Sequence, residues 1–103
     1  SEIVQLQNTK KNTINGLQKD YANAIVEYNN SMKTIQRQQD NIKVAEENYT
    51  ISLQQYKQQR LLLSDLILAE NSLTEARLSY IDALLQLKNA LLELKKLSSQ
   101  LHE

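Results

Sequence analysis

Few side chains in this sequence are of types that do chemistry, and their spacing limits what they can do. There is no Cys to act as nucleophile or thiolate ligand, and the single His, His102, stands next to the last residue. A metal centre takes three or four convergent donors, and a lone terminal imidazole does not supply them. The adjacent carboxylates Glu46-Glu47 read as a solvated face, and Asp65 as an acidic residue at a helix start. With one glycine, Gly16, there is no Gly-rich loop to cradle a phosphate. The triplets Asn29-Asn30-Ser31 and Asn48-Tyr49-Thr50 fit the glycosylation pattern, but both fall inside helical sequence rather than in surface loops. No catalytic constellation emerges, and neither a cofactor nor a metal is expected. The chain does not read as an enzyme. What remains to be read is packing and docking.

Composition narrows the partners. The 103 residues are one domain or a piece of one, with twelve basic and twelve acidic side chains. Residues 1–57 carry seven basic and six acidic groups, and residues 58–103 five and six, so neither half is biased. A nucleic-acid surface shows a basic excess, so that partner class is disfavoured. No apolar run approaches the ~20 residues of a membrane span, and the sequence has no signal peptide pattern. Absence of Cys fits any compartment. There is no Pro, and Leu, Ala, Gln, Glu and Lys dominate, which are good helix formers. The fold class that follows is all-α.

The apolar residues recur every seven. Ile14, Tyr21, Tyr28, Ile35, Ile42, Tyr49 and Tyr56 form a row of large side chains, and Leu17, Ala24, Ser31, Ala45 and Ser52 follow three later, mostly small. A second stretch repeats the scheme, with Leu66, Leu73, Tyr80, Leu87 and Leu94 large and Ala69, Ala76, Ala83, Ala90 and Leu97 alongside. Two such rows make a coiled-coil seam. In an antiparallel pair whose facing residue numbers sum to 118, eight of twelve layers set a large residue against Ala or Ser. Tyr49/Ala69, Ile42/Ala76, Ile35/Ala83 and Ala45/Leu73 are examples, and such layers fill space at close approach. Gln38/Tyr80 is the polar layer, while Tyr21/Leu97 and Leu17/Leu101 are large on large and predict arms that spread there. The seam is therefore Ile35, Ile42, Tyr49, Leu66, Ala69, Leu73, Ala76, Tyr80 and Ala83. One helix running straight through would bury Glu70 and Arg77 without partners, which is costly. A long antiparallel two-helix hairpin is expected.

Packing alone fixes the register only modulo seven, and the stretch YKQQRLLLSDLILAE, residues 56–70, supplies the turn. A reversal centred on Gln59 wastes the fewest residues. The arms are then about 3–57 and about 62–101, with a tip at about 58–61. Asp65 near the second helix's start, and Lys95-Lys96 near its far end, suit the macrodipole. On this phase Leu62 falls on the seam and closes the hairpin against Tyr56, whereas at least one of Leu61 and Leu63 stays exposed beside Arg60. The second arm also carries Leu78, Leu85 and Leu92, Leu84 and Leu91, and Ile67 and Ile81 outside the seam. A two-helix hairpin buries one stripe, so self-association into a four-helix or larger bundle is expected.

The quoted stretch resembles the periplasmic tip of TolC-like outer-membrane efflux proteins, whose second hairpin carries roughly Y-x-x-G-x-x-S-x-x-D-L-L-x-A-Q. Tyr56, Asp65, Leu66 and Ala69 match, with Ile67 for Leu and Glu70 for Gln. Leu73, Ala76, Arg77, Tyr80, Ala83 and Leu84 have counterparts in the continuation. Gln59 stands where Gly is usual and Leu62 where Ser is usual. The likeness is strong over 49–97 and one of pattern before that. It implies a fragment of a longer protein, the second hairpin of a trimeric periplasmic tunnel at the cell outer membrane. Such a tunnel exports substrates with a periplasmic adaptor and an inner-membrane pump. The tip residues Gln59, Arg60, Leu61 and Leu63 are then candidates for docking the adaptor, and Asp65 for lining the tunnel's closed end. A hairpin of the adaptor itself is the alternative, but it lacks the Y…D-L-L-x-A spacing. A purely structural coiled-coil module, or an RNA-binding arm, would share only size and shape.

Overall fold

The computed structural model describes the backbone of residues 1–102 and the side chains of residues 1–101; the expectation for the His102 side chain lies outside the described residues. Two helices account for nearly all of the chain, α1 over Glu2–Lys57 and α2 over Leu63–His102, with no strand among the described residues. The chain is an all-α helical hairpin. It divides into two compact units: a tip unit, Met32–Gln86, and a second unit made of Ser1–Ser31 with the chain from Leu87 onward. Both division points fall between residues that face each other in the expected register.

α1 starts with Ser1, whose Oγ accepts the Val4 N–H at 3.3 Å, and Glu2 adds an acid to the first turn. With no proline to interrupt it, it runs for 56 residues. Residues 1–16 are exposed throughout. In the register below, His102 stands at the level of Gly16, and no described residue of α2 faces residues 1–15.

In each unit burial follows the seam. Among the described residues, those buried are Ala24, Ile35, Leu66, Leu73, Ala83 and Leu97, and every one is a seam position. Ile42, Tyr49, Ala69, Ala76 and Tyr80 are half-buried. The register is legible from the grooves that flank the seam. In the tip unit Asn41 and Ala45 share one groove with Ala76, which sets Ile42 at the level of Ala76. Thr34 and Gln38 share another with Ser79 and Ala83. In the second unit Tyr21 and Ile25 line a groove with Leu94 and Ser98. The polar layer is half-buried, and Gln39 Nε2 donates to the Tyr80 hydroxyl at 3.4 Å.

Leu97 is buried and Tyr21 half-buried. One expectation changes. α2 continues to His102, which leaves Lys95 and Lys96 more than a turn inside it. The macrodipole acts over the last turn only, so these lysines do not cap it.

Candidate functional site

The reversal is built from backbone hydrogen bonds. Gln59 has φ 60°, the one non-glycine with positive φ among the described residues. Its N–H donates to the Tyr56 carbonyl at 3.0 Å, and the Arg60 N–H to the Gln55 carbonyl at 2.8 Å. This pair of bonds, around one left-handed residue, is a Schellman ending: it satisfies two carbonyls that α1 would otherwise leave open. The turn is centred where a reversal wastes the fewest residues of the two arms.

α2 opens on Leu62. Its carbonyl accepts the N–H groups of Asp65 at 3.1 Å and Leu66 at 3.2 Å, so Leu62 holds the N-cap position. A leucine offers no oxygen to the free N–H groups of the first turn. Asp65 lies in that turn, exposed, and complements the helix dipole.

This backbone corrects the expected role of Leu62. It does not close the seam against Tyr56. It is 70% exposed, and Tyr56 is also exposed. The heptad phase holds only for helical residues, and Leu62 lies outside both helices, so its side chain leaves the row on which spacing placed it. Leu61 is half-buried instead, and Leu63 is 53% exposed. Arg60 and Gln59 are exposed, and Arg60 has no ion-pair partner among the described residues. The tip thus presents Arg60, Leu62 and Leu63 together. The signal that would have revealed Leu62 is its place in the tip pattern: a position where Ser is usual, three residues before Asp65, is an N-cap position.

Two of the grooves beside the seam of the tip unit differ in charge. One is a groove lined by Asn41, Val44, Ala45, Asn48, Ile51 and small α2 residues, with no charged group. On the other, Glu46, Glu70 and Arg77 gather around Tyr49 and Leu73. There Arg77 Nη2 lies 3.8 Å from Glu46 Oε1, with both side chains more than half exposed. Such a pair stabilises by a few tenths of a kcal/mol, at most ~1; its use here is to mark the register.

Among the described residues no helix is long and apolar enough to cross a membrane, and no group of three or more His, Asp or Glu side chains gathers to hold a metal. No protein family, curated protein or solved structure matches the chain.

Proposed function

We propose that this hairpin is a wall element of the periplasmic tunnel of a TolC-like outer-membrane efflux channel, acting in export with a periplasmic adaptor and an inner-membrane pump. One observation carries the reading. The sequence departs from the family's tip pattern at Gln59 and Leu62, and these two positions have the backbone that the usual residues suit. Gln59 adopts the left-handed conformation that Gly enters at no steric cost. Leu62 holds the N-cap, where Ser is among the best residues. The tip's conformation thus agrees with the pattern where its residues do not.

On this reading the chain is one stave among the helices of a trimer, and the unburied rows of α2 face neighbours there. The tip meets the adaptor through Leu62, Leu63 and Arg60, with Leu61 and Gln59 shaping the turn. Asp65 lines the closed end of the tunnel. A leucine at an N-cap favours neither burial nor helix capping, and contact with a partner explains its presence there.

The test replaces Leu62 and Leu63 with Ser in the full-length protein, followed by helix content, trimer assembly and export. Export should fall at least tenfold in a trimer of unchanged helix content. Export at the original level, or loss of the trimer itself, removes the docking role.

A further inference from the structure

We infer that the outer face of α2 is a second seam, and that it pairs this chain with a second copy of itself, α2 against α2, antiparallel. Leu78, Leu85 and Leu92 are between 54% and 60% exposed, and Ile81 is 53% exposed. With Lys88 between the last two leucines, the row 78, 81, 85, 88, 92 alternates steps of three and four. That spacing is the hairpin seam's own, repeated about 150° round the helix at 100° per residue. α2 therefore has the surface of a helix with neighbours on two nearly opposite sides, one of which is present.

Apart from Val26, the matching row of α1 is polar: Lys33, Gln36, Asp40, Lys43, Glu47 and Gln54 stand there, all exposed. The back of α1 thus offers no apolar row to cover α2, whereas the back of a second α2 offers one of the same length and spacing.

Charge decides the direction. In a parallel, in-register pair Lys88 and Lys95 would each stack on their own copies in the seam, which is unfavourable. In the antiparallel pair Ile81 faces Leu85 of the second copy, Leu78 lies along the aliphatic stem of Lys88, and Thr74 faces Leu92. Each of these contacts occurs twice by the two-fold symmetry. Glu75 then meets Lys96 of the second copy at the offset by which Arg77 meets Glu46 across the hairpin seam. The pairing is a property of this chain's own surface and does not rest on the export reading; in the trimer proposed above, neighbouring helices would take the second copy's place on these rows.

The experiment uses the 103-residue chain, sedimented across a range of concentrations. A dimer is expected, and Leu85→Glu should weaken it at least about 100-fold with helix content unchanged. If Leu85→Glu loses helix, the milder Leu85→Gln takes its place, with a weakening of at least about tenfold. The sequence has no Cys, so single thiols report direction through a short bis-maleimide. Leu84→Cys, close to the two-fold axis, should cross-link to its copy, and Leu92→Cys should not. A monomer at millimolar concentration, a dimer indifferent to both Leu85 variants, or cross-linking through Leu92→Cys would each overturn the inference.

Discussion

A glutamine at φ 60° holds its Cβ against the following carbonyl, a strain of about 1–2 kcal/mol that glycine does not feel. Gln59→Gly should therefore raise the unfolding free energy by about 0.5–1 kcal/mol, part of the gain being lost to glycine's greater freedom in the unfolded chain. Leu62→Ser should add a similar ~0.5–1 kcal/mol by giving α2 an N-cap oxygen. Both are read as a shift of the urea midpoint at constant slope. A lower midpoint for Leu62→Ser would mean that the leucine packs, contrary to its exposure. Gln59 was legible in the sequence because a reversal centred there wastes the fewest residues of the two arms. Leu62 was not, because the heptad count was carried through a residue that no helix contains. Its neighbour Leu61, off the row, took the inward place.

Each helix is defined by one buried row, and substitutions should divide accordingly. Ile35 and Ala83 are both buried and face each other. Ile35→Ala leaves that layer with two small residues and a gap between backbones too far apart to close it, so it should cost about 2–4 kcal/mol. Leu78→Ala, on the outer face, should change the stability of the monomer by less than about 0.5 kcal/mol. Equal losses at the two positions would show that the outer face is covered within a single chain. The seam was legible because a seven-residue repeat survives any packing detail. The antiparallel direction was legible because large residues on one repeat meet Ala and Ser on the other, and the offset only once the turn was placed at Gln59. The charge difference between the groove at Asn41 and the groove at Glu46 was not. It depends on which of Glu46, Glu70 and Arg77 come together across the seam, and a count along one helix does not show that.

Over the whole chain, registers a heptad apart offer nearly the same layers, and the turn is what distinguishes them. Two separate peptides, 1–58 and 62–103, should therefore occupy more than one register, while the intact chain occupies one. Ala45→Cys should form a disulfide with Leu73→Cys in the intact chain and not with Tyr80→Cys; between separate peptides both bridges should form. Recovery of the 45–73 bridge alone from the separate peptides would show that the seam sets its own register. The Schellman turn at Gln59 then governs time as well as geometry. Arms that collide before residues 58–62 have reversed meet a heptad out of place and must part again, whereas closure beginning beside the turn costs the least chain entropy and brings in one layer after another. The turn is therefore expected to form in the rate-limiting step of folding. Relief of strain at Gln59 therefore accelerates folding and leaves the rate of unfolding nearly unchanged, and loss of a layer far from the turn does the reverse.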